Sequence, residues 1–168
     1  MGSGLKPQLA LDTNVLFDLA DGRDFATTVL EVLAEEKATV KVCPTVLVEL
    51  EYEINHPSSE QKARRAEKAF QCFHTWNITP FSLAPVQHAI AKEFSDSLQN
   101  AGVLPHGELH DGCILAEAAL CPLEFLLTSD QHLLSIDSEK LQAIFKAQDL
   151  PKVQIVSPRH LYVLLKRM

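Results

Sequence analysis

The sequence lacks the features that identify several large classes of protein. No apolar run reaches the roughly 18 residues that a membrane-spanning helix needs, and residues 1–6 lack the apolar core of a signal peptide. The four cysteines form no C-x-x-C pair, and their wide spacing fits neither a zinc knuckle nor a disulfide framework. A glycine-rich phosphate loop and a G-x-S-x-G motif are also absent. We therefore expect a cytoplasmic protein without a membrane segment, whose cysteines are buried and reduced.

Positive charge is scarce as well, since the formal net charge is −7 at pH 7. Nucleic-acid-binding proteins usually present a basic face, so this balance argues at first against one. However, a metal site built from carboxylates contributes negative charge that bound cations offset. The chain also has one basic cluster, Lys62, Arg64, Arg65 and Lys68. A solvated helix face is the simpler interpretation of this cluster, and contact with RNA is the functional alternative.

The length of 168 residues fits a single domain over residues 1–168, in which we expect residues 1–6 to be flexible and partly a cloning remnant. The hydrophobic pattern predicts strands at residues 8–11, 39–43, 78–83, 124–127 and 153–156. It predicts helices at residues 13–20, 24–37, from a Thr45 cap onward, 59–76, 85–100, 108–120, 138–147 and from 158. Strands separated by helices predict an α/β fold, a three-layer α/β/α sandwich with a central, mostly parallel sheet of about five strands.

Acidic residues follow two of the predicted strands. Asp12 comes directly after the apolar strand at residues 8–11, and Asp130 follows the strand at 124–127 after Thr128 and Ser129. Ligands of parallel sheets bind beyond the carboxyl ends of the strands, so we expect both aspartates to lie at the binding edge. The plainer interpretation is that each caps a helix or turn.

Further acids lie near the starts of two helices. Glu49 is one turn into the helix after the second strand, and Glu53 shares its face, so spacing cannot choose between them. Glu108 and Asp111 are three residues apart, about 60° around a helix axis, and can face one ligand. These acids could also be solvated or favour a helix N-terminus electrostatically.

Several ionised carboxylates in one pocket would repel each other. At ~5 Å and an effective dielectric constant of ~20, each pair costs about 3 kcal/mol. Proteins tolerate such a cluster only if protons or cations intervene. Oxygen ligands suit a hard ion such as Mg²⁺ or Mn²⁺ rather than Zn²⁺. The pattern therefore indicates a site for one or two such ions, where a bound water could act as the nucleophile and a second ion could stabilise the leaving oxygen.

Four segments resemble, in order, the acidic motifs of PIN-domain proteins, especially the small VapC-like toxin ribonucleases of toxin–antitoxin pairs. They are LALDTNVLFDLA, PTVLVELEYE, GELHDGCILAEAAL and FLLTSDQHLL, within residues 8–135. The first motif is weak alone, but its combination with D-x-x-I-x-A before L-L-T-x-D is specific. Gly112 departs from the usual pattern, which has a small helix former such as alanine there, and the extra carboxylate of Glu108 occurs only in some branches.

The resemblance implies a PIN-like fold, a homodimer, metal-dependent hydrolysis of RNA, and an antitoxin partner that blocks the site. The residues it implies as catalytic metal ligands are Asp12, Glu49, Asp111 and Asp130, with Glu108 as a further ligand. Hydrogen bonds that orient this cluster would come from Asn14 and from Thr128 or Ser129. His110 is most simply a surface histidine, with contact to RNA as the alternative.

Two other functions remain open. A haloacid-dehalogenase-like phosphohydrolase would use Asp12 as covalent nucleophile, but such enzymes need an aspartate two residues later, where this chain has Asn14. A non-catalytic PIN fold would bind RNA or a protein partner without cutting. The presence of all the acids argues against such a binding protein, because it has no need of carboxylates that repel each other.

Overall fold

The computed structural model describes residues 6–56 and 58–167, so the predictions made for residues 1–5 lie outside the described part. The strands are β1 (Gln8–Leu11), β2 (Thr39–Val42), β3 (Thr79–Pro80), β4 (Phe125–Leu127) and β5 (Gln154–Val156). The helices are α1 (Thr13–Ala20), α2 (Asp24–Glu35), α3 (Pro44–Asn55), α4 (Glu60–Thr75), α5 (Pro85–Asn100), α6 (Leu109–Leu120), α7 (Gln131–Leu134), α8 (Ser138–Ala147) and α9 (Pro158–Arg167). The predicted α/β/α fold with a five-stranded sheet is confirmed.

The sheet is parallel throughout, in the order β3-β2-β1-β4-β5. Its central strand β1 pairs on both sides, with Leu9 opposite Val40 of β2 and opposite Phe125 of β4. The order in which strands are added reverses between β1 and β4. In open parallel sheets a crevice forms at such a reversal, beyond the carboxyl ends of the strands. The topology therefore places the ends of β1 and β4 at the natural binding position.

The two strands that border this crevice lie in the core. Leu9, Ala10 and Leu11 of β1 are fully buried, as are Leu126 and Leu127 of β4. Parallel strands covered by helices on both faces have this continuous apolar character. The buried strands hold the crevice residues that follow them in a rigid frame.

Helices α5 and α6 pack at very close range, and this explains the glycine at position 112. A Cβ atom added to Gly112 would lie 2.8 Å from the Cα atom of Ser95 and 2.7 Å from its Cβ atom. The Ser95 hydroxyl in turn donates a hydrogen bond of 2.7 Å to the Leu109 carbonyl oxygen. Because backbone atoms of α5 occupy the space, the alanine of the usual motif would not fit here without a shift of the helices.

The structure also corrects several local predictions. β3 has two residues instead of six, and Pro80, which lacks an N–H group, cannot donate to a sheet ladder. The prediction that Thr45 caps α3 is wrong: the N-cap is Cys43, without a side-chain hydrogen bond, and α3 begins at Pro44. The four-residue helix α7 was not predicted, because it is too short to show a helical hydrophobic period.

The cysteines and the helix lengths agree in part with expectation. All four cysteines are free thiols, but only Cys43 is buried, and the others are half-buried. Among the described residues, no helix combines the length and the apolar character needed to cross a membrane.

Candidate active site

Asp12 lies at the end of the central strand and begins the first helix. Its backbone N–H donates to the Leu127 carbonyl oxygen at 2.9 Å, which continues the pairing of β1 with β4. Its side chain caps α1, because Oδ1 accepts from the Thr13 backbone N–H at 2.8 Å. The plainer interpretation of Asp12 as a helix cap therefore holds, and it does not exclude a role in chemistry.

A network of hydrogen bonds fixes the Asp12 carboxylate. The Thr128 hydroxyl donates to Asp12 Oδ2 at 2.7 Å, and the Asn14 amide donates weakly to the same oxygen at 3.4 Å. Asn14 is itself held, since its Oδ1 accepts from the Ser129 backbone N–H at 3.0 Å. The Thr128 hydroxyl also accepts from the Asp130 backbone N–H at 3.0 Å. The three supporting residues predicted from the sequence thus connect the ends of β1 and β4.

Asp12 is 4% exposed. Burial raises its pKa from 3.8 to about 6, because the charged form loses its hydration. The Thr128 and Thr13 hydrogen bonds oppose this rise, and the negative charges of Glu49 and Asp130 add to it. Asp12 is therefore held firmly in an environment that disfavours its ionised form.

Asp111 lies in the first turn of α6 and is 8% exposed. Burial raises its pKa to about 8, with further contributions from the Asp12 charge, from a hydrogen bond with Glu108, and from Asp130. Its Oδ2 atom is buried without a hydrogen-bond partner among the described residues. Glu108 occupies the N-cap position of the same helix. The two acids predicted to act together therefore do lie together.

Glu49 of α3 faces the same edge of the sheet. The Thr13 hydroxyl donates a short hydrogen bond to Glu49 Oε2, and His110 Nδ1 lies 3.2 Å from Oε1. Its charge also acts on Asp12. Glu53, the alternative on this helix, has a buried Oε2 atom without a partner among the described residues and lines a depression beside Glu49. Of these two glutamates, Glu49 is therefore the one that contacts a residue next to Asp12.

Asp130 is the N-cap of α7, and its Oδ1 accepts from the His132 backbone N–H at 2.8 Å. Its carboxylate is close enough to raise the pKa of both Asp12 and Asp111. The acids predicted from distant parts of the sequence therefore gather where β1 and β4 end. We refer to Asp12, Glu49, Glu108, Asp111 and Asp130 together as the acidic cluster.

The carboxylates of the acidic cluster lie near one another, but they do not surround a common point as the ligands of a bound ion would. Among the described residues, no group of three or more histidine, cysteine, aspartate or glutamate side chains is arranged so that it could hold a metal ion. The donor chemistry nevertheless fits a hard cation, because every member supplies carboxylate oxygens. The unpartnered Oδ2 of Asp111 is the kind of buried atom that such a cation would satisfy.

The predicted basic cluster lies apart from the acids, on α4. Arg65 pairs with Asp21 at 2.6 Å and stacks its guanidinium 4.7 Å from the centre of the Phe17 ring. Arg64 pairs with Glu60 one turn earlier at 2.5 Å. A groove of about 440 Å³ brings these arginines together with three further basic residues, Arg23, Lys62 and Lys68. Since α4 packs against α1 and α3, this groove adjoins two helices that supply residues to the acidic edge.

A family model described as the PIN domain matches residues 9–139. The chain belongs to the PIN domain family. No curated protein matches the sequence of this PIN domain significantly. Its fold is similar to that of VapBC2 from Rickettsia felis in a complex with promoter DNA, with a TM-score of 0.62 and 18% identity over 89% of this chain and 98% of that one.

A second similar structure is FitAcB from Neisseria gonorrhoeae, with a TM-score of 0.54 and 21% identity. The match covers 90% of this PIN domain and 99% of that chain. At these identities the likeness establishes the fold alone. The activity of this PIN domain has to be argued from its own residues.

Two residues beside the site of this PIN domain escaped the sequence analysis. Thr13 was passed over because a threonine after a capping aspartate is ordinary, yet its hydroxyl holds Glu49. Glu117 was passed over although it is an acid within the apolar run CILAEAAL, which is a usable signal of a buried polar contact. Its carboxylate accepts hydrogen bonds from the start of α3.

Proposed function

We propose that this PIN domain is a metal-dependent endoribonuclease, which hydrolyses RNA phosphodiester bonds with one or two Mg²⁺ or Mn²⁺ ions. The observation that carries the proposal is the pair of buried aspartates, Asp12 and Asp111, at the reversal of strand order. Both have raised pKa values, and the charges of further acids contribute to each. Buried carboxylates that repel each other destabilise a fold unless they have a purpose, and binding of a divalent cation is the purpose that fits.

The residues that would hold the ions are the members of the acidic cluster. When bound, such an ion supplies a Lewis acid for the phosphate and lowers the pKa of water. The chain itself contributes rigidity, because Thr128 and Asn14 donate to Oδ2 of Asp12 while the Thr13 backbone N–H donates to Oδ1. Thr13 and His110 restrain Glu49 in the same way. These contacts leave the acids prepared for a cation without large rearrangement of the backbone.

The basic groove on α4 and the exposed His110 are the parts of the surface suited to RNA. Arg64 and Arg65 each form an ion pair with an acid of the chain, which reduces the charge they offer to phosphates. Lys62 and Lys68 form no ion pair within the described residues, so they are the stronger candidates for phosphate contacts. Each such contact makes binding weaker as salt rises.

We further propose that the domain is the toxin of a toxin–antitoxin pair and forms a homodimer. The support is the resemblance of its motifs to VapC-like toxins, together with a depression of about 300 Å³ beside the acids. Val48 and Tyr52, which both line it, are 58% and 60% exposed and offer a partner two neighbouring apolar side chains. An antitoxin segment bound over them would also cover Glu49 and His110, which line the same depression. Co-purification with the product of a neighbouring short open reading frame, lost in Tyr52→Asp, tests the pairing, and light scattering tests the dimer.

The nuclease proposal is tested with purified protein, a labelled RNA, and Mg²⁺ or Mn²⁺. We expect wild type to cut the RNA and Asp12→Asn to lose at least about 100-fold in rate, because an amide is a poor ligand for a hard cation. Asp149→Asn is the matched control, since Asp149 is exposed at the end of α8 and its positive φ suits asparagine. Cleavage that survives in Asp12→Asn, or fails in Asp149→Asn, contradicts the proposal.

One observation favours a second candidate, a PIN fold that binds RNA or a partner without cutting. The acids do not form a ready group of three ligands among the described residues. Calorimetry with Mn²⁺ near neutral pH separates the two functions, because a non-catalytic fold has no reason to bind the ion. The phosphohydrolase alternative is disfavoured by Asp12 itself, which is buried and has hydrogen bonds to both oxygens. A trapped aspartyl-phosphate on Asp12 would support it.

A further inference from the structure

Glu117 is a carboxylate buried in the middle of α6, with 1% of its surface exposed. Its Oε1 atom accepts from the Thr45 backbone N–H at 2.7 Å, and its Oε2 atom accepts from the Thr45 hydroxyl at 2.8 Å. Burial raises the pKa of Glu117, while both Thr45 hydrogen bonds lower it. A buried acid in an apolar helix is unfavourable unless its partners compensate, so this contact is the reason that it can remain there.

The partner of Glu117 is a helix start that lacks its own cap. The N-cap residue of α3, Cys43, makes no side-chain hydrogen bond, and Pro44 follows as the first helical residue. The backbone N–H groups of a first turn have no partners within the helix and need an acceptor. The Glu117 carboxylate supplies that acceptor from another helix.

This contact joins the two helices that carry predicted metal ligands. Glu49 lies on α3 one turn beyond Thr45, and Asp111 lies in the first turn of α6. A second link runs beside it, from the Cys43 thiol to the Ile114 carbonyl oxygen at 3.7 Å. The separation of α3 and α6 is therefore set close to the acidic cluster.

We propose that Glu117 is a positioning residue, whose hydrogen bonds to Thr45 hold α3 against α6 so that Glu49 and Asp111 can serve one metal site. The inference rests on the proposed function, because it assumes that these two acids bind the ion. Glu117 itself is not proposed as a ligand, since its carboxylate is already engaged by Thr45.

The test compares Glu117→Ala with Glu117→Gln by calorimetry with Mn²⁺ and by RNA cleavage. Losing a residue that orients a ligand typically lowers metal affinity or activity by about 10- to 100-fold, and we expect a loss of this size in Glu117→Ala. Its effect on cleavage should fall on kcat more than on KM. Glutamine should remain within about threefold of wild type, because its amide oxygen can accept from the Thr45 N–H and its NH₂ group can donate to the hydroxyl.

Leu165→Ala is the control for general loss of stability. Leu165 is buried on α9, and the main packing partner of α9 among the described elements is α2. If Leu165→Ala loses as much Mn²⁺ affinity as Glu117→Ala, or if Glu117→Ala binds as wild type does, the positioning role is refuted. A loss in Glu117→Gln equal to that in Glu117→Ala also refutes it, because the charge would then matter and not the cap.

Two further measurements keep the inference testable if Glu117→Ala does not fold. Thr45→Val removes only the hydroxyl bond and should weaken Mn²⁺ binding severalfold, and wild-type affinity in this variant counts against the inference. Hydrogen exchange at the amide of residue 45, which donates to Glu117, should be faster in Thr45→Val than in wild type, and an unchanged rate also counts against the inference. A wild-type chain that binds no Mn²⁺ refutes the proposed function instead, so the two failures are distinguishable.

Discussion

Replacing Asp111 by asparagine should stabilise the metal-free protein at high pH. Folding raises the pKa of Asp111 from 3.8 to about 8. An acid with a raised pKa favours the folded state while it is protonated. Its contribution is complete below about pH 4 and is lost as the pH rises through about 8. Asparagine stays neutral at every pH, so the Asp111→Asn variant should not show this loss.

The expected change in the free energy of unfolding follows from the size of the pKa shift of Asp111. A rise from 3.8 to about 8 is worth about 6 kcal/mol at roughly 1.4 kcal/mol per unit. Part of that belongs to Asp12, whose ionisation is linked to that of Asp111. The new amide also buries polar atoms, which costs roughly 1–3 kcal/mol where a partner is missing. We therefore expect Asp111→Asn to exceed wild type in free energy of unfolding by about 2–4 kcal/mol at pH 8. At pH 4 only the cost of the amide remains, so the variant should be less stable than wild type by roughly 1–3 kcal/mol.

Urea unfolding in EDTA at several pH values between 4 and 8 measures this difference. Asp149→Asn is again the matched control, because it removes an exposed carboxylate and should follow wild type. Parallel pH profiles for wild type and Asp111→Asn would refute the reasoning. Saturating Mn²⁺ gives the complementary result: at 100 times the dissociation constant it should stabilise wild type by about 2.7 kcal/mol and Asp111→Asn by much less.

Three more changes test the packing, the choice of glutamate, and the support of Asp12. Gly112→Ala should lower the free energy of unfolding by about 1–3 kcal/mol, because the added carbon would lie 2.8 Å from a backbone carbon of α5; unchanged urea unfolding would contradict that packing. Glu49→Gln should weaken Mn²⁺ binding by at least about 10-fold in calorimetry while Glu53→Gln has little effect, and the reverse order would assign the ligand to Glu53. Thr128→Val removes a hydrogen bond that lowers the pKa of Asp12, so NMR titration of metal-free protein should find this pKa above that of wild type, and an unchanged value would show that the bond does not matter.

The sheet was predictable because its strands are short apolar runs separated by helices. The segments 8–11 and 124–127 each have one polar residue, at the first position, followed by three apolar ones, which is typical of parallel strands buried on both faces. The same pattern could not give the order of strands. Only the pairing of β1 with β4 brings Asp12 next to Thr128, and that pairing joins residues more than 100 positions apart.

The acidic cluster shows where local pattern stops being informative. Glu49 and Glu53 share a helix face, so no count of residues along α3 separates them. They are separated by contacts from other elements, because Thr13 and His110 reach Glu49. The sequence of α3 offers two candidate metal ligands on one face. The side chains that other elements place against α3 determine which of the two glutamates contacts the site.

The wrong prediction that Thr45 caps α3 also arose because the deciding contact comes from another helix. A threonine after a strand is an ordinary helix cap, and local rules assign it that role. In the structure Thr45 is instead the donor, and the acceptor comes from Glu117, 72 positions later. Capping a helix from outside makes its placement depend on a second helix. A site assembled from acids on both helices gains by that dependence, because α3 and α6 then cannot move independently.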